Sequence, residues 1–422
     1  MKRIWVVLAL FAFTLVEALV TGRRIFYNLA ALFGFTMLLS FLWALYNVNW
    51  VRFERKARSQ RTQVGKLAEE RFLLHNQGFL PKLWLEVRDH SDLPGYFASQ
   101  VVTSLSPRKK RGWTTQTRCR RRGRFTLGPA SVISGDPFGL FRREKLFSAT
   151  STMVVYPLTV GLPGFVLPVG VFPGRGQMQR RTHYITPNVA SVREYYPGDS
   201  FNRIHWPSSA KQGRLIVKEF ELDPTADVWL FLDMELSVQT DQTVREPVER
   251  EEPIALLSSS KRFALDPSTE EYSVTVAASL AQHFLSQNRS VGLAAYGQHR
   301  EVIQSERGSR QLTKIMETLA VIQARGRIPL AQVLVAEGSR LRQNVSVIAI
   351  SASTDPVWVG ALRGLRRRGV HGMAVVIDGR SFGADEDSGA VVGTLADNGI
   401  PCYVVRKGDS LSRALSTPAG IG

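Results

Sequence analysis

Two apolar runs stand at the start of the chain, IWVVLALFAFTLVEALVT over residues 4–21 and IFYNLAALFGFTMLLSFLWALYNV over 25–48, parted only by Gly22-Arg23-Arg24. No other feature restricts the fold as strongly. About 20 consecutive apolar residues cross the hydrocarbon core of a bilayer as a helix, so residues 1–50 predict a transmembrane helical hairpin. A signal peptide would end in a small-x-small cleavage site, which the first run lacks, and a second apolar run follows it directly. Lys2 and Arg3 precede the pair, while Arg52, Arg55, Lys56, Arg58 and Arg61 follow it. The connecting loop has only Arg23 and Arg24. The positive-inside rule then puts both termini in the cytoplasm. The expected localisation is the cell membrane, multi-pass, with the soluble domains cytoplasmic. Glu17 lies near a helix end and is read as snorkelling to the interface, and Trp43, Tyr46 and Trp50 as an interfacial aromatic belt.

The formal charge of the 422-residue chain is +18. Such an excess favours anionic partners: lipid surfaces, acidic protein faces or nucleic acid. Residues 51–78 hold many of these cations and are read as a basic juxtamembrane segment with helical character. Near an anionic leaflet each cation adds about 1 kcal/mol of attraction. Cys119 and Cys402, the only cysteines, are too far apart for a metal-ligand spacing or a disulfide framework.

From about residue 79 the hydrophobic period becomes 2. LWLEVRDHS alternates, with Leu83, Leu85 and Val87 on one face. Further short runs with Gly/Pro punctuation predict a small all-β sandwich domain, immunoglobulin-like, over 79–160. Residues 108–124, RKKRGWTTQTRCRRRGR, carry nine cations and no acid. Beside a membrane hairpin they read as a strand pair above anionic lipid rather than a nucleic-acid site. Asp136-Pro137-Phe138-Gly139-Leu140-Phe141 combines turn chemistry with apolar anchors and reads as packing. Residues 161–190 form a Gly/Pro-rich connector.

Residues 226–422 alternate strand and helix patterns. Strands are predicted over 227–233, 289–297, 344–351, 371–378 and 400–406, and helices over 271–287, 310–324 and 356–369. This alternation specifies an α/β domain with a parallel sheet and helices on both faces. Residues 238–270 are an acidic, polar insertion. Neither a P-loop, a dinucleotide fingerprint nor an HExxH motif occurs.

Between the β and α/β regions lies a dense segment, 191–225, with Tyr196-Pro197-Gly198-Asp199, Arg203-Ile204-His205-Trp206, Ser209-Ala210-Lys211 and Leu215-Ile216-Val217. As a clasp, its cations pair with Glu219 and Glu221. As a hydrolytic centre, Asp199, His205 and Ser208 or Ser209 supply the residue types of a triad, although such triads are defined by geometry and not by proximity in sequence. The clasp or docking surface is the favoured reading. The segment resembles the signature of the bacterial and archaeal family called domain of unknown function fifty-eight, on Arg193, Tyr195, Pro197, Gly198, Asp199, Arg203, Ile204, Trp206, Ala210, Lys211, Leu215, Val217 and Glu219. Arg122-Gly123-Arg124-Phe125, Leu127-Gly128-Pro129 and the Asp136–Phe141 turn resemble that family in the same order.

The resemblance implies a von Willebrand factor A-like fold for the α/β domain. That fold often binds Mg²⁺ through Asp-x-Ser-x-Ser, a distant Thr and a later Asp, hard oxygen ligands being suited to such a cation. Here Asp233 and Ser237 match, Glu235 replaces the first serine, and Asp355 supplies the later acid. The resemblance also implies a MoxR-type AAA+ ATPase as partner, in a chaperone-like system with Arg193, Tyr195, Asp199, Arg203, Trp206 and Lys211 as partner-binding residues. The expected function is that of a membrane-anchored adaptor, not an enzyme, with no cofactor beyond the Mg²⁺ of the Asp233 region. The alternatives are a hydrolase using Asp199, His205 and Ser209, and nucleic-acid binding through 108–124.

Overall fold

The computed structural model describes residues 2–96, 98–165, 185–195, 204–222, 227–242 and 265–419. The chain divides into two compact units, the first built mainly on Met1–Leu158 and the second beginning at Thr159.

The apolar runs form α1 (Lys2–Thr21) and α2 (Arg24–Asn49), both long and apolar enough to cross a membrane. Gly22 turns the chain between them at φ 67°, a conformation glycine adopts without steric penalty. The helices pack closely, for a Cβ on Gly34 would stand 3.1 Å from a ring carbon of Phe11.

No linker follows. The strand β1 (Val51–Ala57) starts two residues after α2 ends. The last four carbonyls of a helix have no partner within it, and here the β region supplies several. Lys82 Nζ donates to the Tyr46 carbonyl at 2.7 Å, and Lys145 Nζ to that of Asn49 at 3.3 Å. Cations at this end also complement the helix dipole. Asn47, fully buried, donates through Nδ2 to the Gly135 carbonyl at 3.1 Å. Lys82 is buried as well, and desolvation pushes its ammonium pKa down to about 8. One turn deeper, Phe41 meets Phe141 edge-on at 5.4 Å.

Residues 51–78 are therefore strands, not a helical juxtamembrane segment, and the β region begins at Val51 rather than 79. After β1 come β2 (Arg61–Gln63) and β3 (Leu67–Asn76). In β3 the buried residues are Ala68, Glu70, Phe72, Leu74 and Asn76, a strict period of 2. Two of these are polar, which conceals the alternation. Glu70 is paired with Arg55 at 4.0 Å, and Arg55 with Asp89. Burial raises the Glu70 pKa, and the Arg55 charge offsets part of that rise.

Three sheets make up the β region. One has the antiparallel order β1-β3-β6, with β6 at Lys110–Arg118. A second runs β5-β4-β8-β9: β4 (Lys82–Asp89), β5 (Gln100–Leu105), β8 (Ala130–Gly135) and β9 (Arg142–Phe147). Val51 and Leu74 of the first sheet share one apolar cluster with Leu85, Val87, Val102 and Val132 of the second. The third sheet, β2-β10-β7, uses β7 (Gly123–Leu127) and β10 (Ser151–Tyr156) around Leu127, Met153 and Val155. Leu83, predicted to share a face with Leu85 and Val87, is exposed instead. It lies at the start of β4, where the burial goes to Lys82.

In the second unit, β11 (Ile185–Glu194) pairs with β12 (Ile216–Leu222), and α3 (Trp206–Gln212) lies in the connection. Then follow β13 (Val228–Leu232), α4 (Thr269–Ser286), β14 (Val291–Tyr296), β15 (Arg300–Glu306), α5 (Ser309–Val321), α6 (Leu330–Gly338), β16 (Ser346–Ser351), α7 (Val357–Arg367), β17 (His371–Ile377), α8 (Gly389–Asp397) and β18 (Cys402–Val405). The sheet order is β15-β14-β13-β16-β17-β18. All neighbours are parallel except β14 and β15. All five predicted strands are present. The unpredicted β15 is an antiparallel edge whose exposed ends are charged, a pattern that hides edge strands and blunts them against further pairing. Trp229, Phe231, Val347, Ala349 and Val376 form one core with α6, α7 and α8.

The join between α2 and the β region generates a direct test. Replacing Asn47→Ala leaves the Gly135 carbonyl buried without its donor, which costs about 1–3 kcal/mol. Thermal unfolding of the full chain in detergent should shift down accordingly. An unchanged midpoint would mean that the bond carries no stability.

Candidate functional site

Counted from β13, the sheet order is 3-2-1-4-5-6, so the direction of winding reverses between β13 and β16. In open α/β sheets, ligands occupy the crevice at the carboxyl ends of the strands at such a reversal. Asp233, immediately after β13, sits there and is almost wholly buried. Its Oδ2 accepts a hydrogen bond from Ser351 Oγ at the end of β16, at 2.6 Å, and its Oδ1 accepts from the Glu235 amide at 3.1 Å. Burial pushes the Asp233 carboxyl up to about 6. The two hydrogen bonds oppose that shift, and the Glu235 charge adds to it. A similar tie closes the end of β17, where Ser388 Oγ donates to Asp378 Oδ1 at 3.2 Å.

The other residues assigned to Mg²⁺ are engaged elsewhere. Ser237 Oγ donates to Glu235 Oε1 at 2.6 Å. Asp355 Oδ1 accepts from the Val357 amide at 2.9 Å, in the turn that leads into α7. Among the described residues, no three His, Cys, Asp or Glu side chains come together as a cation would require. Asp233, Ser237 and Asp355 each bond to a different partner: Ser351 and the Glu235 amide, the Glu235 carboxylate, and the Val357 amide.

Apolar side chains stand around this closed polar centre. Leu236 is 62 % exposed and Val357 63 %. Ile328 is exposed too, two residues past Gly326, which exchanges backbone hydrogen bonds with Met234 and Leu236. The connections after β13, α5 and β16 thus each present an unburied aliphatic residue. Periodicity cannot reveal these three, because all lie outside the amphipathic stripes. Ser351 is legible in the sequence only as the last residue of a predicted strand.

The 191–225 segment is organised by its backbone. Glu194 pairs with Ile216 and Arg193 with Val217. His205 donates its amide to the Ile216 carbonyl at 2.7 Å, and Gly213 ends α3 at φ 65°. Ser209 is buried; its hydroxyl donates to the His205 carbonyl at 3.1 Å and accepts from the Ile216 amide at 2.9 Å. Ser209 thus braces α3 against the strand pair. Ser208 Oγ lies 2.7 Å from His205 Nδ1 across the first turn of α3. Asp199 and Arg203 lie outside the described residues. Trp206 and Lys211 are exposed on α3, Tyr195 is half-buried with its amide bonded to the Leu215 carbonyl at 2.9 Å, and Arg214 reaches Glu194 at 3.4 Å.

Residues 191–257 match the model of the family described as "Protein of unknown function DUF58". Among curated proteins, "Uncharacterized protein YeaD" of Bacillus subtilis (strain 168) is 25 % identical over 200 residues, 47 % of this chain and 43 % of that protein. The chain therefore spans less than half the length of that relative. Among solved structures, the CARDB domain of a Pyrococcus furiosus protein matches at 23 % identity and a TM-score of 0.20, covering 25 % of this chain and 91 % of the domain. The pilus adhesin SpaC of Lactobacillus rhamnosus GG matches at 10 % identity and a TM-score of 0.29, covering 46 % and 29 %. TM-scores this low carry no structural argument.

The Asp233 carboxyl makes the second unit's stability depend on pH. Its folded pKa of about 6 exceeds the value of about 3.9 in an unfolded chain. The favourable contribution is full below about pH 4 and is lost as pH rises through 6, amounting to about 3 kcal/mol. Asp233→Asn should flatten this fall, so the variant's melting midpoint gains on the parent between pH 4 and 7. Parallel curves over that range would refute a buried, raised carboxyl.

Proposed function

We propose that this chain is a membrane-anchored interaction protein. The hairpin α1–α2 crosses the cell membrane, and the carboxyl end of the six-stranded sheet receives a partner protein on the cytoplasmic side. One observation carries this reading. At the winding reversal Asp233 and Ser237 are hydrogen-bonded within the loop ends, and the exposed side chains of the three surrounding loops combine aliphatic Leu236, Ile328 and Val357 with charged Arg327 and Asp355. A catalytic crevice presents reactive groups to its substrate. A docking face presents apolar area with a satisfied polar centre. The sheet order, with its antiparallel third strand, supports a von Willebrand factor A-like module, and the resemblance of the 191–225 segment points to a MoxR-type AAA+ ATPase as the partner. In this reading Trp206 and Lys211 on α3 belong to the same adaptor role, and the excess of Lys and Arg on the N-terminal side of α1 and after α2 sets the cytoplasmic orientation.

The test is binding of a purified MoxR-type ATPase to the full chain in detergent, with the double variant Leu236→Lys, Val357→Lys as comparison. Two desolvated ammonium groups in an apolar contact should weaken binding by roughly tenfold or more, equivalent to at least ~1.4 kcal/mol. Equal binding by parent and variant would move the contact away from this face. No binding by the parent, when the chain is folded and pure, would remove the ATPase from the reading.

A further inference from the structure

We infer that the β region of the first unit is seated in the interface of an anionic leaflet, with Phe138 entering its apolar edge and the Arg108–Arg111 turn meeting its headgroups. This rests on the reading that α1 and α2 cross a membrane.

Helix length sets the depth. The hydrocarbon core is about 30 Å thick and takes about 20 residues. With 26 residues, α2 is about 39 Å long. If Arg24 marks the far edge, the near edge falls at about residue 44, and the last turn and a half of α2 lies among headgroups. Phe41 is then just inside the hydrocarbon edge. Yet Phe41 is in contact with the β region: Phe141 lies 5.4 Å from its ring, and the Arg143 guanidinium 5.3 Å. The β8–β9 turn that carries Phe141 must therefore reach the same depth.

That turn is built to hold an apolar side chain outward. Asp136, buried, accepts from the amides of Phe138 at 2.9 Å and Phe141 at 2.6 Å. Gly139 at φ 71° closes the loop. At its tip Phe138 is 58 % exposed. A large apolar residue held outward at a bilayer edge is an anchor.

A second contact sits at headgroup depth. Phe79 is 70 % exposed and lies 5.3 Å from the Tyr46 ring. The buried Asn76 braces its loop by accepting from the Gly78 amide and donating to the Leu80 carbonyl. Asn76 also donates to the Ser106 carbonyl at 3.1 Å, and its own amide donates to the Lys109 carbonyl at 3.1 Å. Through its side chain and its backbone amide, Asn76 thus ties the aromatic loop to the turn that carries the exposed cations Arg108, Lys109, Lys110 and Arg111. Aromatic tip, aromatic loop and basic turn all surround the emerging end of a membrane helix. Nucleic acid would explain the cations but neither phenylalanine.

The experiment uses the full chain reconstituted into phosphatidylcholine vesicles with or without phosphatidylglycerol. Phe138→Cys and Ser148→Cys each receive an environment-sensitive fluorophore, the native Cys119 and Cys402 being buried. Ser148 lies just past the opposite end of β9. The label at 138 should be blue-shifted, quenched by spin-labelled lipid and shielded from aqueous iodide, and the label at 148 the reverse. Neutralising the turn (Arg108→Gln, Lys109→Gln, Lys110→Gln, Arg111→Gln) should abolish the gain in lipid quenching that phosphatidylglycerol gives. Alkaline extraction separates the two layers of the claim. A chain stripped from vesicles overturns the membrane reading and this inference with it, whereas a retained chain whose 138 label answers iodide alone overturns this inference only. If the neutralised chain keeps its lipid quenching but loses a salt-sensitive shift of a single-stranded oligonucleotide, the turn is a nucleic-acid site and its lipid role is overturned.

Discussion

The structure of the first unit depends on how the free carbonyls at the end of α2 are satisfied. The last four carbonyls of a helix have no partner within it and must find one elsewhere. Here the partners come from the next folded region. Lys82 and Lys145 reach in from two different strands, and the Asn47 side chain donates back to a third. The result is a continuous body in which a 26-residue helix enters a β region with no flexible segment between. Burying Lys82 has a desolvation cost, visible in its depressed pKa. Its bond to the Tyr46 carbonyl and its position 3.7 Å from the Tyr46 ring offset that cost.

A second polar contact has the same logic in the other unit. Asp233 and Ser351 meet at the one place where the sheet changes its direction of winding. A carboxylate there is well placed for ligand chemistry, but its oxygens are already bonded, and the nearby Ser237 and Asp355 serve the loop and the turn into α7. Leu236, Ile328 and Val357 point outward beside the exposed Arg327 and Asp355. Glu235, which stands where the resemblance expects a serine, accepts the Ser237 hydroxyl.

Much of this was legible from residue patterns, for identifiable reasons. The hairpin was legible because solvent imposes its composition directly. Strands β13, β14, β16, β17 and β18 were legible because both faces are covered and the runs are continuously apolar. Strand neighbours were not, since periodicity identifies elements and not pairings. The strands within 51–76 were missed because the buried positions of β3 include Glu70 and Asn76, whose partners Arg55 and Leu105 are remote in sequence. At the candidate sites, residue type was a weaker guide than hydrogen bonding. Ser209, one of the residues of the alternative triad, braces the backbone by accepting from the Ile216 amide. Leu236, Ile328 and Val357 carried no signal at all, because exposure is a property of the fold.

The central claim is that the apolar helix α2 and the β region move as one body. It is tested most directly by a distance measurement between spin labels at Leu38→Cys on α2 and Ser148→Cys beyond β9, made by pulsed electron resonance on the full chain in a bilayer. A single narrow distance distribution is predicted, unchanged between detergent and bilayer. A broad or bimodal distribution would show a hinge after Asn49 and contradict it.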